Sequence, residues 1–119
     1  MIKSILIADD EPEQVALLQS LLKDRGYEVT LCSNGNEAVE SAMLHHPDLI
    51  ILDILMPLMD GTDAASILRQ DERTKNIPIF FMTAMITVDD QSSAKGKPYK
   101  MFAKPIKFFE LLEAVANLG

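Results

Sequence analysis

The run Leu49-Ile50-Ile51-Leu52, followed at once by Asp53, constrains this chain more than any other stretch. Four consecutive apolar residues bounded by polar and turn residues suit a strand covered on both faces, as in a parallel α/β sheet. Asp53 falls where that strand should end. A carboxylate at the carboxyl end of a central strand stands where open α/β sheets bind their ligands. Pro57 keeps a helix from starting immediately, and Asp60-Gly61 supplies a tight turn before the next element. An isolated aspartate here would do no more than end a strand, so its meaning depends on the rest of the chain.

The remaining segments alternate in the same way. Ile2 to Ala8 reads as a first buried strand ending on Asp9-Asp10-Glu11, and Pro12 suits the first turn of a helix that Gly26 stops. Val15, Leu17, Leu18, Leu21 and Leu22 recur at roughly helical spacing. Val15 and Leu17 cannot both point inward with Leu18 and Leu21, which leaves one of them for the surface. Glu28 to Ser33 is a second strand, and Asn34-Gly35 a turn. Asn36 is the expected cap of a helix carrying Ala38, Val39, Ala42 and Met43, which Pro47 ends. Beyond Gly61 a third helix should turn Ala64, Ile67 and Leu68 inward. Asn76 to Met82 is a fourth strand ending on Thr83. Thr87 to Lys97 should hold a further helix with few apolar anchors. Tyr99 to Ala103 is a fifth strand ending on Lys104-Pro105, and Phe108, Leu111, Leu112, Val115 and Leu118 mark a last amphipathic helix with Gly119 as its cap.

Strands alternating with helices call for a flavodoxin-like doubly wound (βα)5 fold with a five-stranded parallel sheet. In the strand order 2-1-3-4-5 the strands ending in Asp9-Asp10, Asp53, Thr83 and Lys104 are neighbours, and their ends meet in one cleft. Strand two, ending in Ser33-Asn34, is the outer edge. Three carboxylates and one ammonium sum to −2, and carboxylates packed so closely hold a proton or recruit a cation. A hard divalent ion with oxygen ligands answers that need, and Mg2+ is favoured because it keeps waters and works on phosphates. One carboxylate could then attack a phosphoryl group, with Lys104 and the Thr83 hydroxyl meeting the transferring oxygens. No glycine-rich phosphate loop offers another route.

Composition narrows the context. The 119 residues make one domain, spanning 1–119, large enough to bury its own core. No apolar run approaches bilayer length, no secretory cleavage pattern follows Met1, and the single Cys32 excludes an internal disulfide. These features lead us to expect a cytoplasmic protein without a membrane partner. A net charge of −7 argues against direct nucleic-acid binding by the domain. Lys95, Lys97, Lys100, Lys104 and Lys107 nevertheless form a stretch with no acid between Asp90 and Glu110, a candidate face for a downstream protein. The adjacent His45-His46 pair points in two directions from a helix end and reads as a solvated terminus rather than a metal pair.

Asp9-Asp10, Asp53 within Asp-x-x-Met-Pro-x-Met-Asp-Gly, Thr83-Ala84 and Lys104-Pro105 together resemble the receiver domain of bacterial two-component response regulators, over the whole chain. The resemblance implies that Asp53 accepts a phosphoryl group from a sensor histidine kinase or histidine phosphotransfer protein. Asp10, Asp53 and the backbone carbonyl of Leu55 would bind Mg2+, with Asp9 helping through water. Lys104 would pair with the phosphoryl group, Thr83 would swing toward it, and a cis peptide would join Lys104 to Pro105. Such a chain is a signalling module rather than an enzyme, although it catalyses its own phosphorylation and dephosphorylation. Leu55 and Met85, both apolar, flank the approach of water in this family's cleft and imply a long-lived phosphorylated form.

The departures bear on output. The family's switch aromatic stands three positions before the lysine, where this chain has Met101. Phe102 points the opposite way in a strand and is expected in the core. Activation would therefore order Thr87 to Lys97 instead of flipping a ring. Two rival functions stay open, and residues weigh against each. A Mg2+-dependent phosphatase of the haloacid-dehalogenase type places its two aspartates two positions apart after the first strand, whereas Asp9 and Asp10 are adjacent. A receiver-like module that no longer takes phosphate would not keep the acid pair, acceptor, hydroxyl and lysine together.

Overall fold

The computed structural model describes residues 2–84 and 99–118. Five strands, β1 (Ser4–Ala8), β2 (Glu28–Cys32), β3 (Leu49–Asp53), β4 (Ile79–Thr83) and β5 (Tyr99–Ala103), pair in parallel in the order β2-β1-β3-β4-β5. Four helices are described: α1 (Pro12–Asp24), α2 (Gly35–His45), α3 (Gly61–Gln70) and α4 (Phe108–Leu118). This is the flavodoxin-like doubly wound (βα)5 arrangement expected from the sequence. The helix expected over Thr87 to Lys97, the Gly119 cap and Met85 lie outside the described residues.

Side-chain alternation divides the sheet into two apolar layers. Ile5, Ile7, Leu49, Ile51, Phe80 and Met82 meet Val15, Leu18 and Leu22 of α1 and Leu111, Leu112 and Val115 of α4. Leu6, Ala8, Ile50, Leu52, Ile79 and Phe81 meet Ala38 and Ala42 of α2 and Ala64, Ala65 and Leu68 of α3. All five residues of β3 and of β4 are buried, while β2 at the edge is mostly exposed. Among the described residues no helix is long and apolar enough to cross a membrane.

The helix starts show which local signals took effect. Pro12 opens α1 where its missing N–H is not needed. Asn34, not Asn36, caps α2. Its backbone is extended, so its Oδ1 accepts from Glu37 N–H at 2.9 Å, while the Glu37 carboxylate reaches back to Ser33 N–H at 2.7 Å. The helix therefore begins two residues earlier than an Asn36 cap implied. Asp60 caps α3 through Asp63 N–H at 2.9 Å. Ile67 is a second correction. It is 37% exposed, and Ala65 takes the inward place, because Gly61, Ala64, Ala65 and Leu68 are the residues that share the face toward the sheet. Of the α1 pair, Val15 is buried and Leu17 is the exposed one.

Candidate functional site

Strand register brings the polar ends together. Ala8 pairs with Leu52, so Asp9 follows on β1 where Asp53 ends β3. Asp53 itself pairs with Met82, and Thr83 pairs with Ala103, directly before Lys104. The chain leaving β5 stays tied to β4, since Lys104 N–H donates to the Thr83 carbonyl at 3.0 Å. The Lys104-Pro105 peptide is cis, as the resemblance implied.

Lys104 Nζ is the centre of the cleft. It donates to Asp9 Oδ2 at 2.9 Å and to Asp53 Oδ2 at 3.1 Å. The free oxygens of the same carboxylates accept backbone N–H groups: Glu11 to Asp9 Oδ1 at 2.8 Å, and Leu55 to Asp53 Oδ1 at 3.3 Å. Asp9, Asp53 and Thr83 are each only 3% exposed, whereas Asp10 opens to solvent at the mouth. The adjacent aspartates therefore differ sharply: one is a buried partner of Lys104, the other faces outward. Lys104, grouped by sequence with a surface lysine stretch, is turned into the cleft. Lys100 and Lys107 are exposed, and Lys95 and Lys97 lie outside the described residues.

Burial pushes the Asp53 carboxyl above the usual carboxylate range. The nearby Asp9 charge adds to that, and the Lys104 contact opposes it. For Lys104, burial pulls the ammonium down, but its hydrogen bonds and charge pairing with Asp9 and Asp53 outweigh this and raise it. Cys32 is half-buried, and burial with the Glu37 charge pushes its thiol up, so it is a poor nucleophile.

One oxygen from each of Asp9, Asp10 and Asp53 lies within 4.8 Å of the others. Three carboxylates face one ammonium, and every candidate ligand atom is a hard oxygen. The residues present thus fit a divalent ion of the Mg2+ type better than a soft metal. A cavity of about 660 Å³ opens here, lined by the polar Asp10, Asp53 and Lys104 together with the apolar Leu55, Ile106 and Phe108. Met101 and Phe102 part as expected: Met101 packs on the α2–α3 side, and Phe102 stacks obliquely on Phe80 with ring centroids 5.1 Å apart.

Two features escaped the sequence reading. The Cys32 carbonyl accepts Asp9 N–H at 3.0 Å, so the edge strand supports the acid pair. The loop after Asp53 carries a left-handed Leu58, φ 69°, with Met59 N–H donating to the Pro57 carbonyl at 2.8 Å. No local sequence signal marks a leucine for that backbone region.

A family model for the response regulator receiver domain matches residues 5–116. The polar-differentiation response regulator DivK of Brucella ovis is 32% identical over 118 residues, covering 98% of this chain and 96% of the relative. Among solved structures, a response regulator from Chloroflexus aurantiacus superposes with a TM-score of 0.86 at 31% identity, covering 98% and 97% of the two chains. The receiver domain of a sensor histidine kinase from Pseudomonas aeruginosa gives 0.84 at 30% identity, with the same coverage, and has a magnesium ion coordinated in its active site cleft. Family match, sequence and fold agree, and this chain belongs to the receiver domains of bacterial two-component response regulators.

Proposed function

We propose that Asp53 is the phosphoacceptor of this receiver and that its donor is a phosphohistidine on a sensor histidine kinase or a histidine phosphotransfer protein. One observation carries the reading: a buried carboxylate ends the central strand 3.1 Å from a lysine ammonium, with two further carboxylates beside it. An Asp53 oxygen attacks phosphorus, the bond from phosphorus to the imidazole nitrogen breaks, and the aspartyl phosphate forms. Lys104 already bridges Asp9 and Asp53, so its ammonium is in place to meet a phosphoryl oxygen once Asp53 is esterified. The Thr83 hydroxyl, at the end of the neighbouring strand, would donate to another. Asp9, fixed by Glu11 N–H and Lys104, would keep that ammonium positioned.

Asp10, Asp53 and the Leu55 carbonyl would hold Mg2+, with Asp9 acting through water, and the ion when bound would neutralise charge on the phosphoryl oxygens. The exposed Leu55 side chain offers no group to orient a hydrolytic water, which favours a long-lived phosphorylated form. The domain would act in the cytoplasm without binding nucleic acid itself, and the Lys95–Lys107 stretch would serve a downstream protein, without the inward-turned Lys104. Incubation with acetyl phosphate and Mg2+ followed by mass spectrometry tests the reading. One phosphoryl group on Asp53 is expected. Multiple turnovers with no adduct, or no reaction, would overturn it.

A further inference from the structure

The loop from Ile54 to Asp60 joins the acceptor to α3 and carries the Leu55 carbonyl. It is not in a relaxed conformation. Leu58 sits at φ 69°, and the bond from Met59 N–H to the Pro57 carbonyl closes a three-residue turn around it. Such turns persist only where the surroundings hold them. Leu58 is 85% exposed, so its own side chain is not what holds it. Met56, buried in the α2–α3 layer, anchors the middle of the loop, Ile54 and Met59 pack against the same layer, and close backbone packing meets the loop at its two ends.

One end is visible within the loop's own motif. A Cβ on Gly61 would fall 2.4 Å from the Asp53 carbonyl oxygen, and Gly61 N–H donates to the Ile54 carbonyl at 2.9 Å. The other end is met by a different element. A Cβ on Gly35, the first residue of α2, would fall 2.4 Å from the Met59 carbonyl oxygen and 2.9 Å from its Cβ and Cγ. Gly35 does not have a left-handed φ. Space alone excludes a side chain there. Asn34, directly before Gly35, caps the helix through Glu37 N–H, a hydrogen bond that does not involve Met59.

We propose that Gly35 is a positioning residue for the phosphoacceptor loop: its bare Cα seats Met59 and thereby sets the place of the Leu55 carbonyl, 20 residues away in the chain. The inference rests on the functional reading above for the role of that carbonyl, but its structural half stands without it. A methyl group at position 35 has to push either α2 or the loop, and the loop, with its strained turn, is the part that gives.

The test compares Gly35→Ala with Asn34→Ala, which weakens the same helix start by removing its cap but adds nothing against Met59. Amide hydrogen exchange of the metal-free protein should show faster exchange at Leu55, Met59 and Gly61 in Gly35→Ala than in Asn34→Ala. Calorimetric titration with Mg2+ should show affinity weakened about tenfold in Gly35→Ala and changed less than about twofold in Asn34→Ala, the range expected when a ligand's support is disturbed. Shortening the other partner, in Gly35→Ala/Met59→Ala, should restore part of the affinity. If Gly35→Ala does not fold, the double variant is compared with Met59→Ala alone, with a residual weakening expected because the carbonyl contact remains. Unchanged exchange in the loop, or equal losses in Asn34→Ala, would overturn the role of Gly35. A wild-type protein that neither binds Mg2+ nor accepts phosphate would overturn the functional reading instead, leaving the exchange result to decide the seat.

Discussion

Asp48 and Asp53 bracket the same buried strand, yet their carboxyls are pushed in opposite directions. At the amino end, Asp48 Oδ2 accepts Lys3 N–H at 2.9 Å and Ser4 N–H at 3.0 Å, and these backbone donors, Ser4 first, hold its carboxyl below the usual range. At the carboxyl end, burial raises Asp53, Asp9 adds to the effect, and Lys104 opposes it. One end of the sheet is a closed structural tie. The other is left electrostatically short of positive charge, a condition that favours the uptake of a cation. A parallel sheet points its strand-end carbonyls, and the loops that follow them, toward one side only, and that is where this asymmetry is spent.

The largest expected effect separates the two aspartates by chemistry. Asp53→Asn should reduce phosphoryl incorporation from acetyl phosphate to background, while Asp48→Asn should leave it intact. Mass spectrometry of both variants checks this, and incorporation at wild-type rate in Asp53→Asn would break the comparison at its active end.

Next comes the cation. Lys104→Ala leaves Asp9 and Asp53 buried without their ammonium and should destabilise the metal-free domain by about 3 kcal/mol. Urea unfolding in EDTA measures it, and part of the loss should return with saturating Mg2+, which binds the folded state. A loss under about 1 kcal/mol would mean that the carboxylates do not depend on Lys104.

A smaller effect tests the sign at Asp53. With its folded pKa raised, the ionised carboxylate costs the metal-free domain stability as pH rises from the ordinary carboxylate value through the raised one. Asp53→Asn should therefore be more stable than wild type near neutral pH, by under about 1 kcal/mol after solvent screening, and no more stable in acid. Urea midpoints across pH in EDTA would show this, and a gain that grows toward low pH would contradict it.

Asp48 should give the smallest change, with the opposite sign. Its lowered pKa contributes stability above the ordinary carboxylate value that is lost as pH falls through the folded one. Asp48→Asn should cost under about 1 kcal/mol near neutral pH, and the difference from wild type should narrow in acid. A cost that persists unchanged at low pH would mean that the tie does not depend on charge.

Much of this was legible in the residues because the signals were local. The apolar run at Leu49–Leu52 suited a doubly covered strand, and the observed strand order makes neighbours of the four strands whose ends carry the polar residues. Tyr99–Ala103 was read to its ends, with Lys104-Pro105 closing it. Errors arose where two similar residues competed for one place. Asn34 rather than Asn36 caps α2, and Ala65 rather than Ile67 faces inward, since hydrophobicity alone does not say which side of a helix meets the sheet.

The sequence by itself determined which chemical groups exist and on which strand ends they stand, because apolar periodicity and turn residues act over a few positions. Only the tertiary structure decided that Asp9 is buried and Asp10 exposed, and that Lys104 leaves its neighbouring lysines to bridge two carboxylates. It also decided that Asp48 ties the far end of the sheet and that Gly35 must be bare to seat Met59. Each of these is settled by contacts between segments distant in the chain, whose distances are set when the sheet and its helices close on one another.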